Sequence, residues 1–284
     1  MRHAPIGIFD SGLGGLTVAR EIARALPFES FIYVGDTARC PYGPQRVADI
    51  EQYVREICAF LQGQGAKLIV IACNTATAAG LSLAQQEFDV PVIGVIEPGA
   101  RAAVRATRNR RVGVIGTQGT IDSDVYSRAV RSLDAGCTVI SVATPEYVED
   151  VEKGLALEEG YSQEFLRRAI MSRGTPDGSY LDVLKRNDID TLVLGCTHYP
   201  MLAHAITQVM GDRVILVSSA AETAFDVQST LERRGHAAEE GSTVSYRFFT
   251  TGDRDTFERL GSRVFGQPFA QVDGLDFPGL SVQQ

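Results

Sequence analysis

Lys67-Leu-Ile-Val-Ile-Ala-Cys73-Asn-Thr75 is an aliphatic, β-branched run that ends on a thiol and then on two side chains suited to capping a helix. A short continuous apolar run with polar bounds is what a strand buried on both faces requires, as in a parallel sheet covered by helices. The pattern returns as Asp190-Thr-Leu-Val-Leu-Gly-Cys196-Thr-His198. Similar runs occupy Ile6 to Phe9, Phe31 to Val34, Val92 to Ile96, Val112 to Ile115, Val139 to Val142 and Ile215 to Val217. Between them, Thr17 to Leu26, Val47 to Leu61 and Tyr126 to Leu133 carry apolar residues at helical spacing with a polar opposite face. The alternation predicts an α/β fold with parallel sheets. The two halves also echo one another. Ile6 to Phe9 opens into Asp-Ser-Gly-Leu-Gly-Gly, Val112 to Ile115 opens into Gly-Thr-Gln-Gly-Thr, and each half later presents one strand-end cysteine. Two related, doubly wound units are expected.

The 284 residues, 44% hydrophobic and 22% charged, suit one large globular domain or two smaller ones. No apolar run approaches the roughly 20 residues of a membrane span. The amino terminus lacks an apolar stretch of signal-peptide length, so a cytoplasmic protein is expected. A formal charge of −8 gives no electrostatic footprint for duplex nucleic acid or anionic lipid. Any anionic ligand must then be held locally. From about Pro268 the chain reads as an irregular tail.

The five cysteines, at 40, 58, 73, 137 and 196, include no Cys-x-x-Cys pair, which argues against a disulfide framework or a zinc ribbon. Cys58 shares an apolar helical face with Val54, Ile57 and Leu61 and reads as core. Cys137 precedes its strand and reads as structural, and Cys40, before Pro41, as an incidental thiol near the crevice. Cys73 and Cys196 differ, because both stand at strand carboxyl ends, where open α/β sheets bind ligands. A helix N-terminus at that position is expected to lower a thiol's pKa. One such cysteine is as well explained as a small buried hydrophobe. A matched pair fits another need: inverting a stereocentre by proton transfer takes a base on one face of a planar intermediate and an acid on the other. A thiolate and a thiol exchange those roles with the substrate's hand. Lys67, Lys153 and Lys185 are the only lysines and none lies in an evident cofactor-binding motif, which disfavours a pyridoxal mechanism.

Phe9-Asp10-Ser11-Gly12 with Gly14-Gly15-Leu16, Gly35-Asp36-Thr37 with Pro41-Tyr42-Gly43, Ala72-Cys73-Asn74-Thr75-Ala76-Thr77, and Gly195-Cys196-Thr197-His198-Tyr199-Pro200 resemble, in order, the signature blocks of the glutamate racemases. The resemblance implies cofactor-independent interconversion of L- and D-glutamate, supplying D-glutamate for peptidoglycan, in a homodimer without a metal. By matching positions it makes Cys73 and Cys196 the two acid/bases. Asp10 and His198 become helpers of the nearer thiol, and Glu152 a third helper. Substrate contacts fall on Asp10, Ser11, Tyr42, Gly43, Asn74, Thr75, Thr197 and His198, with Thr117 and Thr120 available to a carboxylate. The resemblance also implies two pseudo-symmetric domains with the site between them, residues 1–97 with 208–284 carrying Cys73 and residues 98–207 carrying Cys196. In so acidic a chain the dicarboxylate would be held by hydroxyls, amides and backbone N–H groups rather than by arginines.

Each residue also has a plainer role open to it. Asp10 suits a helix cap, His198 a structural hydrogen bond, Glu152 a solvated helical face, Tyr42-Gly43 a turn, and Asn74 and Thr75 caps. Among rival functions, a dinucleotide oxidoreductase fits poorly, since Gly12 and Gly14 are followed by Thr17 where the fingerprint wants a third glycine. A Cys196/His198 hydrolase leaves Cys73 without a role. Aspartate racemase shares the paired cysteines. A binding protein that only closes on an amino acid has no use for matched thiols.

Overall fold

The computed structural model describes residues 1–154, 156–157, 162–175 and 178–277. The first sheet begins with β1 (Ile6–Asp10), α1 (Leu16–Ala25), β2 (Phe31–Gly35), α2 (Val47–Gly63), β3 (Leu68–Ile71), α3 (Asn74–Glu87) and β4 (Val92–Gly94). Helix α4 (Ile96–Ala106) crosses to a second sheet region of β5 (Arg111–Gly116), α5 (Gln118–Asp122), α6 (Val125–Leu133), β6 (Thr138–Ala143), α7 (Pro145–Glu152) and α8 (Gln163–Ser172). It continues through a small antiparallel pair, β7 (Gly174–Thr175) and β8 (Gly178–Ser179), then α9 (Tyr180–Arg186), β9 (Thr191–Gly195), α10 (Ala203–Met210) and β10 (Ile215–Val217). Helix α11 (Ala220–Arg234) returns to the first sheet, which β11 (Tyr246–Thr250), α12 (Arg254–Phe265) and β12 (Val272–Gly274) complete. The two crossing helices are tied together: Arg101 of α4 reaches both oxygens of Asp226 on α11 at 2.6 Å, and Arg105 pairs with Glu222.

The main sheets run β12-β11-β2-β1-β3-β4 and β10-β9-β5-β6, with every pairing parallel. Strands β1, β2, β3 and β9 are buried along their whole length, the reason their sequences are continuously apolar rather than alternating. Three expectations change. Ile96 begins α4 instead of ending a strand. The tail after Pro268 contains the edge strand β12, and its last seven residues, 278–284, lie outside the described part. The stretch 208–217, expected with the first unit, contains β10, which pairs with β9 in the second sheet. That strand is only three residues long and half exposed at the sheet edge, so its membership follows from pairing and leaves little trace in its sequence.

The topology positions the site. Strands β1 and β3 are neighbours, yet the chain leaves β1 towards β2 and β3 towards β4, in opposite directions across the sheet. Strands β5 and β9 repeat this, leaving towards β6 and β10. Each reversal opens a crevice at the strand carboxyl ends. Asp10 ends β1, Ser11 and Cys73 follow β1 and β3, and Thr117, Cys196, Thr197 and His198 follow β5 and β9.

The opposite end of the first sheet is held by a buried ion pair. Lys67 Nζ lies 2.5 Å from Glu29 Oε2 and donates to the carbonyls of Arg2 at 2.8 Å and His236 at 2.9 Å. Removing one member of such a pair strands the other charge in the core. Lys67→Met is therefore expected to cost about 3–5 kcal/mol of stability, read as a lowered urea midpoint. A midpoint equal to wild type would mean the pair stabilises nothing.

Candidate active site

Cys73 caps α3 with its own side chain, accepting the Ala76 N–H at 3.4 Å, and its Sγ lies 3.7 Å from Ser11 Oγ. The helix amides act on the thiol in the expected direction but do not prevail. Burial first, and then the charge of Asp10, push the Cys73 pKa up to about 12. Asp10 is not hydrogen-bonded to the thiol. Its Oδ2 accepts the Gly12 N–H at 3.0 Å and its Oδ1 the Thr197 hydroxyl at 3.2 Å, so one carboxylate ties the turn after β1 to the loop after β9. Burial raises the Asp10 pKa against the pull of His198 and two backbone amides. The cap of α1 is Gly15, not Asp10.

On the other wall, Cys196 Sγ lies 3.5 Å from His198 Nδ1, and the far ring nitrogen of His198 bonds Glu152 at the end of α7. Glu152 Oε1 also accepts the Leu13 N–H at 3.2 Å. Burial opposes a charge on His198, but the Glu152 carboxylate and then Cys196 outweigh it and hold the imidazole well above its usual pKa. Glu152 responds in kind: burial would raise it, and His198 brings it below the usual carboxylate range. Glu152 is thus bonded to His198 and Leu13 rather than standing as a solvated helical carboxylate. Cys196 stands before a short 3₁₀ turn, Tyr199–Leu202, so the helix start expected after it is absent.

Hydroxyls cluster where the units meet. Thr75 Oγ1 lies 2.8 Å from Thr117 Oγ1 and 3.2 Å from Thr120 Oγ1, and the last two are 3.0 Å apart. The Tyr126 hydroxyl donates to Asn74 Oδ1 at 2.6 Å, and the Gly119 N–H donates to the Gly43 carbonyl at 3.1 Å. All of these contacts except Thr117–Thr120, which lies within the turn after β5, cross between the sheets. The close approach explains Gly43, where a Cβ would lie 2.8 Å from Thr117 Cβ, and Gly14, where one would lie 2.4 Å from Thr197 Oγ1. The two thiols face one small, nearly closed cavity of about 10 Å³, lined also by Ser11, Tyr42, Gly43, Asn74, Thr75, Thr117, Thr197 and His198. That is room for about one water.

Of the residues singled out in the sequence, Asp10, Glu152 and Thr120 do not line this cavity; they hold residues that do. Val148 and Pro41 line it and were missed. The signal for Val148 was its place one helical turn before Glu152 on α7. Cys40 was read as incidental; burial first, and then the nearby Glu152 and Asp10 carboxylates, hold its pKa well above the usual thiol range. Cys58 and Cys137 are buried in hydrophobic clusters and do not line the cavity.

Two facing α/β crevices each present a thiol to one small cavity. Residues 6–224 match the family model described as Asp/Glu/hydantoin racemase, and the chain belongs to this family of isomerases. Its relatives narrow the class. The glutamate racemase of Exiguobacterium sibiricum is 48% identical over 263 residues, covering 93% of each chain. A crystal structure of a glutamate racemase isoform from Bacillus anthracis superposes with a TM-score of 0.88 at 43% identity, covering 98% of this chain and 99% of that one. The Francisella tularensis glutamate racemase, solved in complex with D-glutamate, gives 0.84 at 30% identity, covering 97% and 98%.

Proposed function

We propose that the protein is a glutamate racemase that uses no cofactor, with Cys73 and Cys196 as the acid/base pair on opposite faces of the α-carbon. The observation that carries this is the enclosure of both thiols, brought by different sheets, in a single cavity. One cysteine, as thiolate, takes the α-proton. The other, as thiol, returns a proton to the opposite face of the planar carbanion, and the roles are then reversed. A thiol with a pKa near 12 makes a strong base but ionises in only about one molecule in 10⁴ at pH 8. The substrate's ammonium group, placed beside it, favours the thiolate. Asp10 holds Thr197, and His198 with Glu152 supplies positive charge beside Cys196. Ser11, Asn74, Thr75, Thr117 and Thr197 offer hydroxyl and amide groups to the two carboxylates, Tyr42 and Gly43 offer backbone, and Thr120 holds Thr75.

A cavity with space for one water cannot hold glutamate, so the units part to admit substrate and close to expel water. Of the lysines, Lys67 is committed to Glu29 at the far end of the sheet. Lys153 lies 3.4 Å from Glu149 at the exposed end of α7. In this reading the enzyme supplies D-glutamate for peptidoglycan, in the cytoplasm and as a homodimer. The test is incubation with L-glutamate in deuterium oxide without added cofactor, following optical rotation and the label at the α-carbon. Racemisation with solvent deuterium incorporated is expected. Turnover of aspartate alone would move the assignment to aspartate racemase, and binding without exchange would remove the enzymatic reading.

A further inference from the structure

The loop between β2 and α2 brings Tyr42 and Gly43 to the cavity, and its other side is tied to the last third of the chain. Asp36, fully buried, is the centre of the tie. Its Oδ2 accepts Arg39 Nε at 2.6 Å and the Tyr42 hydroxyl, and its Oδ1 accepts the Thr251 hydroxyl at 2.8 Å. Arg39 also reaches Glu56 Oε2 at 2.6 Å, and its guanidinium lies over the rings of Tyr53, at 4.0 Å, and Phe277, at 5.0 Å. Thr251 Oγ1 in turn accepts the Ala38 N–H at 3.0 Å.

A turn does not need this arrangement. Burying a carboxylate is costly unless it is paired, and a neutral capping residue would close the loop without that cost. What the buried charge adds is a strong acceptor that holds Arg39, Tyr42 and Thr251 in one geometry. The Tyr42 hydroxyl is therefore engaged on Asp36 rather than on the cavity, and Gly43 is placed so that its carbonyl meets Gly119 of the second unit.

We propose that Asp36 and Arg39 are positioning residues for substrate binding, which hold the Tyr42 phenol and so set the Tyr42-Gly43 wall of the cavity. This rests on the reading of that cavity as the substrate site. Tyr42→Phe keeps the ring and removes only the bond to Asp36, and Asp36→Asn weakens the acceptor. Each is expected to raise KM for both enantiomers about tenfold with kcat changed less than about threefold, and the double variant to be no worse than the poorer single one, because both act on the same Tyr42–Asp36 bond. Arg39→Lys keeps the charge without the planar fork and is expected to fall between wild type and Asp36→Asn. Amide exchange in residues 40–46 of the ligand-free protein is expected to quicken about tenfold in Tyr42→Phe, with the strands unchanged. An unchanged KM, a loss confined to kcat, single effects that multiply, or loop exchange equal to wild type would overturn the proposal. If Asp36→Asn does not fold, Tyr42→Phe decides by KM and exchange. If the wild type does not turn over glutamate, the substrate reading fails, while the exchange comparison still decides whether the anchor exists.

Discussion

Racemisation of glutamate is expected to fall by about 10²- to 10⁴-fold when either Cys73 or Cys196 is replaced by alanine, the range that loss of a positioned acid or base produces. Both side chains are small and each lines a cavity at the edge of a core cluster, so the folded state should survive each change. Enantiomers have equal free energies. The equilibrium constant is therefore one, and kcat/KM must fall by the same factor in both directions whichever thiol is removed. The informative measurement is isotope exchange. With one thiol left, only the enantiomer whose α-hydrogen faces that thiol can exchange it with solvent. Cys73→Ala and Cys196→Ala are expected to exchange opposite enantiomers in deuterium oxide, each without net racemisation. Exchange of the same enantiomer by both variants would place the two thiols on one face and end the two-base mechanism.

At His198 the expected loss is about 10²-fold for His198→Asn, with a pH signature in Glu152→Gln that separates charge from shape. Against the pull of burial, Glu152 raises the His198 pKa, so the imidazole stays cationic to a pH well above its usual range. Activity that needs the cation is present below that folded-state pKa and is lost as pH rises through it. Removing the carboxylate lowers the pKa, so the alkaline limb of kcat is expected to move to lower pH in Glu152→Gln. The shift should be larger in the direction that begins with proton abstraction by Cys196, 3.5 Å from the ring. An alkaline limb that stays in place while His198→Asn is inactive would show that His198 acts without its charge.

Some of this site was legible in the sequence because it rests on local rules. Strand β3 and strand β9 are buried on both faces, which forces an uninterrupted apolar run, and the residue that ends such a run stands at the crevice. That reasoning located Cys73 and Cys196 without any contact being known. It did not locate Glu152, whose partner His198 lies 46 residues away, because a helical carboxylate looks the same in sequence whether it faces water or an imidazole. Asp36 and Thr251, 215 residues apart, were missed for the same reason. Local reasoning also misjudged the Cys73 thiol. A helix N-terminus lowers a thiol's pKa by a modest amount, and complete burial beside Asp10 outweighs it.

Apolar runs and the direction of the chain were enough to set the α/β class, the doubled unit and the strand-end position of both cysteines, since each follows from which backbone segments must be dry and where they end. The facing of the two sheets, the Glu152–His198 pair, the Asp36 tie, the near-closed cavity and the thiol pKa came from the folded molecule. All five depend on distance and on the exclusion of water between segments far apart in the chain, and neither quantity is a property of neighbouring residues.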